Sequence, residues 1–182
     1  MDGSSDRVLA IRTRRGDVQA YGELVGRYQT SVFNVCYRML GNKVEAEDQA
    51  QETFIRAFIR FETFDADRPF GPWIRRIAVN QCLNYLQRAS PTPFPLLDEH
   101  DTVMHGTWNE PETSLERKEE SAEVRNAILE LPKHYRAVIE LRHYQELSYV
   151  EIAETLGIPL SNVKSHLFRA RKQLARKLSE ND

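Results

Sequence analysis

Residues 148–178 read SYVEIAETLGIPLSNVKSHLFRARKQLARKL, and the fold is decided there. Ser148 followed three residues later by Glu151 is a capping box, so a short helix begins at this point. Ile152, Ala153 and Leu156 give that helix an apolar side. Gly157 supplies the left-handed conformation that ends it, and Pro159 prevents its continuation. Ser161 is then placed to cap a second, longer helix. With about 100° between successive residues, Val163, Leu167, Ala170, Leu174 and Leu178 fall within an arc of roughly 80°, a buried stripe. Ser165, Arg169, Lys172 and Arg176 cluster opposite, with Lys164 and Arg171 on one flank. Residues 161–178 hold six Lys/Arg and no Asp/Glu, a local charge of +6 in a chain of net charge −2. A basic helix held across a shorter one is the helix-turn-helix arrangement that lays side chains in the DNA major groove. A basic helix alone is more often a solvated face. The glycine turn, the two caps and the clean stripe together point to DNA binding.

The chain has 182 residues, enough for one or two small domains with their own cores. Its 29% charged and 41% hydrophobic residues fit a globular protein. No uncharged apolar run approaches the roughly 18 residues of a membrane span, and the first residues, MDGSSDRVLAIRTRRGD, lack a signal-peptide apolar core. No membrane insertion is expected, and the cytoplasm is the expected compartment. Cys36 and Cys82 lie within helical patterns and read as buried thiols, a regulatory disulfide being the minority reading. Charge is segregated: residues 98–123 hold nine Asp/Glu against Arg117 and Lys118. An acidic middle and a basic end suit different partners.

Taken in order, residues 6–15 form a short helix ended by Gly16-Asp17. From 18 to 40, Leu24, Val25, Tyr28, Val32, Val35, Cys36 and Met39 recur at helical spacing until Gly41-Asn42 closes the helix. The next helix, 46–61, carries Phe54, Ala57, Phe58 and Phe61 on one side, all read as core. Its Glu47, Asp48, Gln51 and Glu52 compensate the helix dipole or form a docking face for a basic partner. A turn-rich loop over 62–71 leads to a helix over 73–88 with Pro72 in its first turn. Ile74, Ile77, Ala78 and Leu83 look inward, and Arg75, Arg76, Asn80, Asn84, Gln87 and Arg88 present cations and amides. Pro91, Pro93, Pro95 and Pro111 mark an extended acidic linker. Thr113 with Glu116 forms another capping box, opening a helix to Glu130; a further helix follows from Lys133 to about Gln145. The expected architecture is all-α: two small helical domains, 1–90 and 113–182, joined by a flexible linker over 91–112, with the helix-turn-helix in the second.

The runs AEDQAQETFIRAF (46–58), PWIRRIAVNQCLNYLQR (72–88), LPKHYRAVIELRHYQELSYVEIAETLGIP (131–159) and VKSHLFRARKQL (163–174), in this order and separation, resemble the extracytoplasmic-function sigma factors of bacterial RNA polymerase, of the sigma-70 family. The resemblance implies that residues 1–90 are sigma region 2 and 113–182 region 4. It implies a non-enzymatic initiation factor, without cofactor or metal, that binds core polymerase through the β′ clamp helices and the β flap. Asp48, Gln51 and Glu52 match the segment that grips the clamp helices.

The 62–88 loop and helix match the part that melts and reads the promoter −10 element. Phe64 and Asn80 match a pocket for a flipped-out base, where stacking and amide hydrogen bonds are the apt chemistry. Arg75, Arg76 and Arg88 are candidates for backbone contacts, and Asn84 shares that surface. Trp73 reads instead as packing. The 161–178 helix matches the −35 reader. Lys164, Ser165, Phe168 and Arg169 are its base-edge candidates, with Ser161, Asn162 and His166 at its start. Arg171, Lys172 and Arg176 suit phosphate. By the same resemblance the linker runs through the RNA-exit path, and an anti-sigma factor is a further partner.

Several positions depart from the family pattern. Ser161-Asn162 replaces a common Gly-Thr, His166 stands where Arg is usual, and Asn84 and Gln87 replace Asp and Arg. Three rival readings fit the sequence less well. Glu140 and His143 have the Glu-x-x-His spacing of di-iron bundles, but that site needs a second pair and facing carboxylates. A response-regulator-type DNA-binding protein leaves the aromatic first domain unexplained. A protein-binding helical adaptor lacks salt-dependent affinity for DNA.

Overall fold

The computed structural model describes residues 5–91 and 122–179, and the regular structure among them is helical throughout. The acidic linker and the Thr113–Glu116 capping box lie outside the described residues.

Helix α1 (Asp6–Arg14) starts where the Ser5 hydroxyl accepts from the Val8 amide. It leads to α2 (Val18–Leu40), which Asp17 caps by accepting from the Ala20 amide. Gly41 ends α2 at φ 73°. The left-handed φ favours glycine here, and a Cβ would also lie 2.8 Å from Cδ1 of Leu129, which would have to shift. Helix α3 (Lys43–Ile59) begins earlier than its apolar period suggests, because the Asn42 side chain accepts from the Val44 and Glu45 amides. A 3-10 turn at Phe61–Thr63 then joins α3 to α4 (Phe70–Ala89).

These four helices close over an aromatic cluster. Trp73 lies 5.9 Å from Phe61, 4.7 Å from Phe64 and 5.6 Å from Phe70, centroid to centroid, which gives it the packing role expected of it. Cys36 and Cys82 are buried free thiols, also as expected. One aromatic departs from expectation. Phe58 is 44% exposed beside the exposed Ile55 and Ile59, because it packs only at the edge of α2, on the Tyr21 ring at 4.9 Å.

In the second half, α5 (Ala122–Leu129) precedes α6 (Lys133–Ile139), which continues into a π-helical turn at Glu140–Tyr144. Helix α7 (Tyr149–Leu156) opens with both hydrogen bonds of the Ser148–Glu151 capping box and ends at Gly157 in the left-handed conformation. Helix α8 (Leu160–Ser179) starts before the predicted cap. The Pro159 carbonyl accepts from the Asn162 and Val163 amides, so Ser161 sits inside the first turn rather than capping it.

The two halves also pack on one another, and one buried cluster runs through both. Arg38 of α2 makes a bidentate pair with Glu140 (2.7 and 2.8 Å), whose side chain is only 2% exposed. Arg136 donates to the Met39 carbonyl at 2.6 Å, and Lys133 to the Ser90 carbonyl at 2.7 Å. Arg38 and Arg136 satisfy partners that packing removes from water, which apolar contact alone would leave stranded, whereas the Lys133 bond lies at the exposed edge.

Candidate nucleic-acid and polymerase interfaces

Three surfaces carry the residues singled out by sequence. The first is the outer side of α8. Ser161, Lys164, Phe168, Arg171 and Lys172 are exposed on it and Arg169 is half-exposed, with Phe168 at 47%. Spacings of three and four residues put Ser161, Lys164, Phe168 and Lys172 on one face. Arg171 donates through Nε to His143 Nε2 at 3.3 Å, which fixes part of that face.

Asn162, Ser165 and His166 do not join this surface. They are buried, at 9%, 7% and 0% exposure. The apolar stripe read from sequence spans roughly 80°. In the fold α5, α6 and α7 all pack on α8, so a wider arc is covered. The His166 ring lies 5.4 Å from that of Tyr135. The displaced arc moves the exposed face toward Lys164 and Phe168.

The second surface is the polar side of α4. Arg76, Asn80 and Asn84 recur every four residues, with exposed Arg88 one turn further. Asn84 is exposed, but Arg76 and Asn80 are engaged by α7. Arg76 Nη2 meets Glu151 Oε1 at 2.9 Å, and Asn80 Nδ2 donates to the Thr155 carbonyl at 3.0 Å. The Ser148 amide and hydroxyl, then the Arg76 guanidinium, hold the Glu151 carboxyl below its ordinary pKa. Arg75 lies off this face, its Nη1 reaching Ser31 Oγ of α2 at 3.5 Å. Phe64 is also displaced from its expected role. Its ring is 3% exposed, enclosed by Phe61, Phe70 and Trp73, and offers no free face for a base here.

The third surface is on α3. Asp48 and Gln51 are exposed and Glu52 is half-exposed, paired with Arg56 at 2.7 Å. They border the exposed Ile55 and Phe58 and a groove of about 340 Å³ between α2 and α3, lined by Val25, Phe33, Gln51 and Phe54 among others. An acidic and amide-bearing edge beside exposed apolar side chains is the composition of a protein-docking surface.

The Glu-x-x-His pair is used otherwise. Glu140 is taken by Arg38, and His143 accepts from Arg171. Among the described residues no group of His, Cys, Asp and Glu is placed to hold a metal ion. No helix among them is long and apolar enough to cross a membrane.

Sequence reasoning missed the residues that join the halves: Arg38, Glu140, Glu151 and Thr155. One signal was available. Glu140 interrupts the apolar run Val138, Ile139, Leu141, and a charge in such a run needs a buried partner.

Known proteins match this arrangement along the chain. The family model for sigma-70 region 2 matches residues 24–92, and that for sigma-70 region 4 matches 121–174. The ECF RNA polymerase sigma factor SigW of Bacillus subtilis is 35% identical over 176 residues, covering 93% of this chain and 94% of that protein. The ECF RNA polymerase sigma-E factor of Escherichia coli is 33% identical over 181 residues, covering 96% and 94%. Among solved structures, CnrH in complex with the cytosolic domain of CnrY shares the fold, with a TM-score of 0.64 at 24% identity over 98% of this chain and 100% of that one. The sigma factor RpoE in complex with the anti-sigma factor NepR from Bartonella quintana does so with a TM-score of 0.61 at 18% identity, over 87% and 96%. With both sigma regions in order and relatives aligned end to end, the chain belongs to the extracytoplasmic-function sigma factors of the sigma-70 family, which bind RNA polymerase and direct transcription initiation at promoters.

Proposed function

We propose that α8 reads the −35 element through its exposed face and that α4 reads the melted −10 strand through Arg76, Asn80, Asn84 and Arg88. Lys164, Phe168 and Arg169 are the base-edge candidates on α8, and Arg171 and Lys172 hold phosphate. The observation that carries this is the exposed α8 face: cations around one exposed aromatic, on a helix without a single acid between residues 161 and 178. Asp48, Gln51 and Glu52, with Ile55 and Phe58 beside them, form the surface for the β′ clamp helices. The chain divides functionally into 1–90, the acidic linker 91–112, and 113–182. It acts in the cytoplasm as a non-enzymatic subunit, and an anti-sigma factor, such as the one bound to its structural neighbour RpoE, is its regulatory partner.

The test is base specificity. Arg169→Ala is expected to weaken binding to a −35 duplex by about 1–3 kcal/mol while leaving scrambled duplex nearly unaffected. Fluorescence anisotropy at fixed salt separates the two. Equal losses on both duplexes make Arg169 a phosphate contact and remove it from the reading face.

A further inference from the structure

We infer that His143 is a positioning residue for DNA binding: as an uncharged acceptor it fixes the Arg171 guanidinium at the edge of the α8 face without cancelling its charge. The inference rests on the assignment of Arg171 to phosphate proposed above. Arg171 Nε donates to His143 Nε2 at 3.3 Å. That bond uses only Nε, so Nη1 and Nη2 keep their donors for a phosphate. Partial burial, then Arg171 and Arg142, lowers the His143 pKa to about 4 from the ordinary 6.5, so near neutral pH the ring is uncharged. With Nε2 accepting, the ring proton sits on Nδ1. Both charges that act on the ring among the described residues are cations, Arg171 from α8 and Arg142 from its own turn. A carboxylate in this place would also hold Arg171, but it would cancel the charge. The fold does this at other guanidinium groups: Arg27 pairs with Asp6 at 2.8 Å and Arg56 with Glu52 at 2.7 Å. Arg171 instead keeps its full charge and gives up rotamer freedom before DNA arrives, an ordering that otherwise opposes binding.

The acceptor has to come from another element, because residues 161–178 hold six Lys/Arg and no acid. The π-helical turn supplies it. There the Gln145 amide donates to the Glu140 carbonyl at 3.2 Å, an i to i+5 bond that winds the chain less tightly than an α-helix. Glu140 and His143, three residues apart, would share a side of an α-helix. In this turn they diverge: Glu140 meets Arg38 of α2, and His143 meets Arg171 of α8. The same turn therefore directs an acid into the core and a neutral acceptor toward the DNA-binding helix.

The experiment titrates the full chain into a fluorescent pool of random-sequence duplex DNA over a series of salt concentrations, with anisotropy as the readout. His143 lies at the surface, so substitutions there leave the core in place. His143→Leu should weaken binding about two- to tenfold, the range for ordering one long side chain, with the salt slope unchanged because Arg171 keeps its charge. His143→Gln, whose amide oxygen is again a neutral acceptor, should recover most of that loss. His143→Glu should still hold Arg171 but lower the salt slope by about one, as Arg171→Ala does. Adding His143→Leu to Arg171→Ala should weaken binding no further. Losses that add in the double variant, or His143→Gln as weak as His143→Leu, refute the positioning role while Arg171 keeps its phosphate. Arg171→Ala with wild-type affinity and slope takes Arg171 off phosphate and refutes the inference with that assignment.

Discussion

Replacing Glu140 by alanine lowers stability by about 3 kcal/mol, because it leaves the Arg38 guanidinium facing a joint built around a carboxylate. The pair is bidentate, and the Glu140 side chain is 2% exposed while that of Arg38 is 20% exposed. Both are withdrawn from solvent, so screening reduces the effect little, and the lower end of the range for broken buried pairs applies to a partner with partial access to water. Arg38 keeps its stacking on the Tyr144 ring, 4.3 Å from the centroid, which limits the loss. Replacing both partners by apolar side chains, Arg38→Met with Glu140→Leu, is expected to recover most of the stability, since no charge is then stranded. Chemical denaturation of the three variants gives the comparison. An alanine variant as stable as wild type would mean that the halves do not rest on this pair.

Acid should loosen the second half through His134. Burial, then the charges of Lys133 and His166, lowers its pKa to about 4 from the ordinary 6.5. The side chain is on the buried side of α6, at 7% exposure. The unfolded chain takes up a proton near pH 6.5 that the folded chain refuses until about pH 4. Stability from this site is therefore fully present above pH 6.5 and declines as the pH falls toward 4. The loss is about 2 kcal/mol at pH 5 and about 3 kcal/mol below pH 4. Melting temperatures at pH 7 and pH 5 should differ by several degrees in wild type and by less in His134→Leu. Identical pH profiles for the two proteins would place the acid-sensitive group elsewhere.

Helices written as local patterns were legible in the sequence. The 18–40 helix, the Ser148–Glu151 capping box and the Gly157 stop each depend on residues within a few positions of one another, and each is found where the pattern puts it. The buried positions Val163, Leu167 and Ala170 followed from one period. What depends on a second or third packing partner was less legible. Ser165 and His166 lie outside the predicted stripe, yet α6 and α7 together bury them. Phe58 lies on the predicted aromatic side of α3, yet only the Tyr21 ring packs on it and 44% of it stays exposed. The joint between the halves was least legible, because Arg38, Arg76 and Asn80 are ordinary polar helix positions until their partners, 75 to 102 residues away, are brought beside them. The candidate sites followed the same division. The cations of α8 and the acids of α3 were visible as runs, whereas the engagement of α4 by α7 required the fold.

The most direct measurement of the account is reconstitution with bacterial core RNA polymerase, comparing wild type with Glu52→Arg by co-purification and by run-off transcription from a genomic fragment library. Wild type should co-purify and initiate at a shared −35/−10 pattern. Glu52→Arg, which puts a cation on the acidic edge of α3 beside Arg56, should lose association and transcripts together while keeping its helical content and melting temperature. Undiminished association of Glu52→Arg would take the polymerase surface off α3, and wild-type protein that binds promoter DNA but never polymerase would contradict the account as a whole.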